Sequence, residues 1–332
     1  MKTQTLGNLT VSAVGLGCMG LSHAYGAPTE EKEAIRLIQH AVDIGYTLFD
    51  TAEVYGTADD PHQNERLVGK ALKPYGDRVI IATKFGIRFD MQSGQYPYPL
   101  IPDSRPKTIR QSVDASLKRL GRDHIDLYFQ HRIDPEVAPE EVADVMADLI
   151  KEGKIRYWGI SEANEDYLRR AHTVCPVTAV QNRYSMMYRD YEKLFPTLES
   201  LHVGLVAFSP MANGFLTARY DKKTVFEPGT DYRSTMPQFT ADAYDKNQAL
   251  LQLLKDTASA KHATPAQISL AWMIGKKHWI VPIPGTRKLD RLEENAGAAS
   301  VTLSPEEISA LDKALDATPM SDVFGGTPSV KQ

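Results

Sequence analysis

Ile125-Asp126-Leu127-Tyr128-Phe129-Gln130-His131 is a short apolar run that ends in a polar residue. It stands between two longer segments of helical period, Lys107–Leu120, stopped by Gly121, and Pro139–Glu152, stopped by Gly153. The prolines and glycines fall where helix starts and stops require them. Helix, strand, helix in this order is the unit of a parallel sheet or barrel.

The same alternation extends in both directions. The strand candidates are Val14–Gly17, Thr47–Asp50, Val79–Lys84, Ile125–His131, Ile155–Ser161, Thr178–Gln181, Val203–Ser209 and Trp279–Pro282, with a helix at Glu30–Ile44 after the first. Eight βα units in about 300 residues describe a (β/α)8 TIM barrel more economically than two domains, so residues 1–332 are expected to form one barrel domain. Upstream, Leu6-Gly7-Asn8-Leu9 reads as a hairpin turn, Gly and Asn supplying positive φ, between Lys2–Thr5 and Leu9–Ser12. That hairpin is expected to cap the barrel. Two segments break the repeat, Phe85–Pro106 and Ala212–Thr240, and both follow strands. They are expected to be long loops at the C-terminal face, with the tail from Thr318 a further loop that can reach it.

Composition narrows the class without choosing the activity. The 332 residues are 42% hydrophobic and 24% charged with a net charge of −4, ordinary for a globular enzyme. Nothing here favours nucleic acid or an anionic membrane as partner. The N-terminus is polar, and no run reaches the roughly 18 apolar residues of a membrane span, so a cytoplasmic protein is expected. Cys18 and Cys175 lack ligand spacing, and the nine histidines include no HxxxH pair, so no metal is assigned.

Six apolar runs end in Asp50, Lys84, His131, Ser161, Gln181 and Ser209. In a parallel barrel such ends open on one face, the face that carries active sites. Asp50, Lys84 and His131, on neighbouring strands, should lie side by side, and Tyr55 follows closely enough to fold over them. This set suits carbonyl reduction, because hydride arriving at carbon leaves charge on oxygen that needs a proton and a donor. Tyr55 would supply the proton, Lys84 would make its anion tolerable, Asp50 would fix the lysine, and His131 would orient the carbonyl. A structural ion pair between Asp50 and Lys84, with Tyr55 a half-buried aromatic, is the alternative reading.

Gly15-Leu16-Gly17-Cys18-Met19-Gly20 also matches the GxGxxG of dinucleotide-binding folds. That motif needs a helix to start at the glycines, whereas Leu21–Thr29, with Gly26 and Pro28, intervenes. The match is set aside.

Phe49–Gly56, Ile81–Lys84, Leu127–His131, Gly159–Ser161, Phe208–Pro210 and Pro282–Thr286 together closely resemble the aldo-keto reductase family, over Leu6 to about Leu315. The resemblance implies a catalytic tetrad of Asp50, Tyr55, Lys84 and His131 and a cofactor, NADPH rather than NADH, extended across the barrel mouth. It places Ser161 and Gln181 at the nicotinamide carboxamide and Phe208 under the ring, and counts Ser209, Pro210 and Gly214 among the cofactor contacts. Well-known members carry Asn where Glu162 stands and Tyr where Phe208 stands; Glu162 would accept from the carboxamide. Gly285, Thr286, Arg287, Lys288, Arg291, Glu294 and Asn295 form a segment opening the last helix, which the resemblance assigns to the adenosine 2′-phosphate. Many members carry Lys at the place of Gly285, so Arg287 or Lys288 would have to substitute.

The expected activity is reversible reduction of aldehydes and ketones, with a small carbonyl compound as partner and a homo-oligomer left open. A nucleotide-binding regulatory protein on the same barrel is the competing function. Tyr25, Phe85, Tyr96 and Trp279 are weighed as pocket aromatics against plain packing residues, with packing the stronger reading.

Overall fold

The N-terminal hairpin pairs β1 (Thr3–Leu6) antiparallel with β2 (Leu9–Ser12). In this computed structural model, which describes residues 1–57, 59–90, 92–93 and 99–324, Gly7 alone turns the chain with φ 57°; Asn8, expected to share the positive φ, does not. A side chain at Gly7 would also meet the carbonyl oxygens of His202 and Thr178 at 3.1 and 3.2 Å, because the turn presses against the barrel floor.

The chain continues through β3 (Leu16–Gly17), β4 (Leu48–Asp50), β5 (Ile80–Phe85), β6 (Ile87–Phe89), β7 (Leu100–Pro102), β8 (Ile125–Gln130), β9 (Ile155–Ser161), β10 (Ala179–Arg183), β11 (Gly204–Phe208) and β12 (Ile280–Pro282). β3, β4, β5, β8, β9, β10, β11 and β12 are parallel neighbours in that order. The sheet then closes on itself. Gly15 donates to the Pro282 carbonyl at 3.0 Å, Gly17 to that of Pro284 at 3.3 Å, and Gly17 bridges Gly285. The expected eight-stranded barrel is therefore present.

The glycines of the GxGxxG match do packing work at this seam. A Cβ on Gly17 would stand 2.7 Å from the Ile283 carbonyl oxygen, and one on Gly15 would stand 2.9 Å from the Ile283 side chain. Only a single 3-10 turn, Met19–Leu21, follows them before the first α-helix, Glu31–Asp43, capped by Glu30, which accepts from the Glu33 amide.

Side chains alternate across each strand. Leu48, Ala82, Leu127, Phe129, Ala179, Val206 and Val281 fill the barrel interior above the hairpin residues Leu6, Leu9 and Val11. Gly159 leaves room for them, since a Cβ there would reach 2.3 Å from the Phe129 ring. The opposite parity, with Ile81, Tyr128, Trp158, Val180 and Leu205, packs outward on helix residues such as Leu37, Val113, Met146, Leu168 and Trp272. Both cysteines are buried thiols in that outer layer.

Helices Pro106–Leu120 and Pro139–Lys151 start on prolines, and Gly121 and Gly153 follow with φ 64° and 74°. The segment 85–106 holds more than a loop: β6 and β7 pair antiparallel as a second hairpin on the C-terminal side of β5. Three-residue strands among glycine, proline and tyrosine carry no readable period. No helix among the described residues is long and apolar enough to cross a membrane.

Candidate active site

Strand parity decides which side chains meet at the mouth. Two residues beyond the interior positions Leu48, Ala82, Phe129, Gly159 and Ala179 come Asp50, Lys84, His131, Ser161 and Gln181, and the sheet order puts their strands side by side. Ser209 breaks this set: Phe208 holds the interior parity next to Val206, while Ser209 follows the strand with φ 49°.

Lys84 is fully buried and uses all three of its N–H donors. They go to Asp50 Oδ1 at 2.5 Å, the Thr51 carbonyl at 2.7 Å and the Tyr55 hydroxyl at 3.3 Å. The second oxygen of Asp50 accepts from Gln181 Nε2 at 2.7 Å, so Gln181, expected at a carboxamide, has one amide N–H on the aspartate. Ser161 donates to the Gln181 carbonyl at 2.9 Å.

Tyr55 reaches the mouth because its loop is clamped. Asn64 is wholly buried, accepts from the Thr51 hydroxyl at 2.6 Å, donates to the Cys18 carbonyl at 3.0 Å and to Ser22 at 2.6 Å, and gives its backbone N–H to the Tyr55 carbonyl at 2.9 Å. Sequence reasoning missed Asn64, which carries no motif of its own. The His23 ring stacks on Tyr55 with centroids 6.1 Å apart and bonds the Gly56 carbonyl through Nδ1 at 2.8 Å.

His131 Nε2 stands 3.5 Å from the Tyr55 hydroxyl, while its Nδ1 is buried without a partner. Burial, followed by the charges of Arg132 and Lys84, holds its pKa well below the usual imidazole value. The ring is thus neutral at neutral pH, and we place its proton on Nε2, since a buried N–H at Nδ1 would have no acceptor. Burial raises the Tyr55 pKa above its ordinary value against the lowering by Lys84, so the phenol keeps its proton. Because its oxygen already accepts from Lys84, that proton is free to point at a substrate. For Lys84, burial opposes the charged form but Asp50 and Tyr55 outweigh it, and the pKa is raised.

From Phe208 the mouth continues into a strained turn, with φ of 49°, 47°, 60° and 99° at Ser209, Ala212, Asn213 and Gly214. Three left-handed non-glycine residues within one short turn are a sign of a backbone shaped for a ligand. Pro210 is buried between them. Further round, helix Leu289–Gly297 carries Arg291, whose Nε is buried without a partner and which makes no ion pair among the described residues, and the buried Asn295. Glu294 accepts from Arg219 at 2.7 Å. Gly285 lies in the seam, and Thr286 accepts from the Lys288 amide at 3.1 Å. Arg287 donates to the carbonyls of Tyr25 and Ala27, leaving Lys288 as the exposed cation here without a side-chain partner among the described residues. An orphaned guanidinium nitrogen, a strained turn and a half-exposed aromatic are features that fit a nicotinamide cofactor.

Tyr25 lies at the mouth, held by Asn213 at 2.8 Å, whereas Phe85 packs on Tyr128 and Trp279 on Phe195 in the core. Tyr96 lies outside the described residues. The tail reaches the mouth, where the Phe324 carbonyl accepts from Arg183 at 3.0 Å.

Compared with known proteins, the sequence profile described as Aldo/keto reductase family matches residues 13–316. A soybean (Glycine max) protein named "Probable aldo-keto reductase 1" is 41% identical over 318 residues, which are 95% of this chain and 88% of that protein. Among solved structures, the glycerol dehydrogenase AKR11B4 from Gluconobacter oxydans superposes with a TM-score of 0.86 at 26% identity, covering 98% of this chain and 99% of that one. The aldo-keto reductase AKR11C1 from Bacillus halodurans, in its holo form, gives 0.75 at 27% identity, covering 98% of each.

Proposed function

This chain belongs to the aldo/keto reductase family, and on that premise we propose that it is an NADPH-dependent reductase of aldehydes and ketones, with Asp50, Tyr55, Lys84 and His131 as its catalytic residues. The single observation that carries this reading is the tyrosine whose oxygen is held by a fully donating buried lysine, leaving its proton for a substrate. Reduced nicotinamide, when bound, supplies the hydride.

The chain's own residues supply the rest. Phe208 offers a flat apolar face at the mouth, and Ser161, Gln181 and Glu162 offer polar edges beside it. Arg291, Asn295, Glu294 and Lys288, with the Gly285–Thr286 turn, would hold the adenosine end, and Ser209, Pro210 and Gly214 the stretch between; Arg287, engaged with the Tyr25–Ala27 carbonyls, would close over it. Nε2 of His131 donates to the carbonyl oxygen and sets its direction. Tyr55 gives its proton to that oxygen as charge develops, and Lys84 stabilises the phenolate left behind. Asp50, anchored by Gln181, keeps Lys84 charged and in place.

Steady-state oxidation of NADPH and of NADH with a panel of aldehydes tests this reading, with Tyr55→Phe as control. Turnover with NADPH that drops about 10²–10⁴-fold in a Tyr55→Phe protein still able to bind NADPH is expected. Equal turnover in that variant would sink the assignment of the proton donor.

A further inference from the structure

Two arginines stand at the mouth beside the tetrad, outside every role assigned above. Arg132 follows His131, and Arg183 shares the strand face of Gln181 two residues earlier. Glu162 sits between them with φ 55°, its two oxygens 3.5 Å from Arg132 Nε and 3.5 Å from Arg183 Nη2. One carboxylate thus lies between two guanidinium groups.

The hydrogen bonds of Arg132 leave one edge open. Its Nη1 donates to the His131 carbonyl at 2.7 Å and approaches Ser161 Oγ at 3.5 Å. Its Nη2 has no partner among the described residues, and the side chain keeps 20% of its surface exposed. A guanidinium held through Nη1, with a carboxylate beside Nε and free donors on Nη2, is a preorganised half of an oxyanion fork. It lies close to the reacting groups, since it follows His131 in the chain and is bonded to the His131 carbonyl. Arg183 is more enclosed, at 8% exposure, and is oriented by the Tyr188 ring 4.3 Å away and by the Phe324 carbonyl.

We propose that Arg132, backed by Arg183 and by the Glu162 that spaces them, forms an anion subsite, so that the favoured substrates are carbonyl compounds carrying a carboxylate or phosphate. This rests on the reductase reading of the neighbouring tetrad. The oxyanion would bind the open edge of Arg132 while the carbonyl lies between Tyr55 and His131. Glu162 repels a substrate anion from its own side and so directs it to that edge.

The test compares 4-carboxybenzaldehyde, methyl 4-formylbenzoate and 4-formylphenyl phosphate with saturating NADPH, in wild type and in Arg132→Gln, Arg132→Lys and Arg183→Gln. Terephthalate binding to the NADP⁺-loaded proteins is measured calorimetrically as a readout independent of turnover. The wild type is expected to favour the acid over its ester by about tenfold or more in kcat/KM. In Arg132→Gln the KM for the acid should rise about tenfold more than that for the ester, terephthalate should weaken in parallel, and Arg132→Lys should recover part of both. A smaller loss in the same direction is expected for Arg183→Gln. A preference for the phosphate over the carboxylate supports the subsite and identifies its oxyanion. Equal use of acid and ester by the wild type, equal KM changes in Arg132→Gln, or terephthalate binding indifferent to the substitutions would each overturn the proposal. Terephthalate binding that needs Arg132 in a protein that reduces none of the aldehydes would leave the subsite standing and remove the reductase reading.

Discussion

The Lys84 ammonium stands 3.3 Å from the Tyr55 hydroxyl and 4.8 Å from the centre of its ring, so one cation bears on both the acid and its aromatic face. Lys84 itself reaches no solvent, and its charge is tolerated because Asp50 and two oxygens surround it.

Removing one member of this pair should therefore cost more than removing both. Lys84→Met leaves Asp50 buried with Gln181 as its one side-chain donor among the described residues and is expected to lower stability by about 3–5 kcal/mol in urea unfolding. The Asp50→Asn/Lys84→Met double variant should recover part of that loss. A double variant as unstable as the sum of the singles would show that the charges are not coupled.

Glu53 predicts a pH dependence of stability. Burial, then repulsion from Glu65, pushes its carboxyl up to about 7, with Arg119 4.0 Å away and bound more closely to Glu65 at 2.5 Å. The folded protein holds this proton more tightly than the unfolded chain, whose glutamate titrates near about 4.3. Its stabilising effect is thus full below that value and is lost as pH rises through about 7. Glu53→Gln should gain stability over wild type by up to about 3 kcal/mol between pH 5 and pH 8. Unfolding midpoints that keep a constant offset across this range would contradict the shift.

Arg291 tests the cofactor path. Its buried Nε lacks a partner, so the ligand that supplies one should depend on it. Arg291→Ala is expected to raise the Kd for NADPH about 10–100-fold and that for NADH much less, by fluorescence titration. Equal losses for the two nucleotides would remove the phosphate role.

The seam gives a purely structural expectation. Gly17→Ala brings a Cβ to 2.7 Å from a backbone oxygen that cannot move without opening the barrel. A loss of about 2 kcal/mol or more, read as a lowered unfolding midpoint, is expected. An unchanged midpoint would mean the seam adjusts freely.

The barrel was legible in the chain because its signals are local. Apolar runs such as Ile125–Gln130 and capped helices such as Pro106–Leu120 announce themselves through period and punctuation, and the parity of a strand carries Asp50, Lys84, His131 and Gln181 to one end. The hairpin β6–β7 escaped notice, since three-residue strands have no period.

What tertiary structure alone decided are the pairings between distant residues. That Gln181 spends its amide on Asp50, that Asn64 fastens the Tyr55 loop, and that Arg132 and Arg183 share Glu162 all depend on which side chains closure of the barrel brings within hydrogen-bonding distance. Gly15 and Gly17 show the same division. Their spacing imitates a nucleotide motif, and only the closing contact of the barrel reveals that they are small because Ile283 passes beside them.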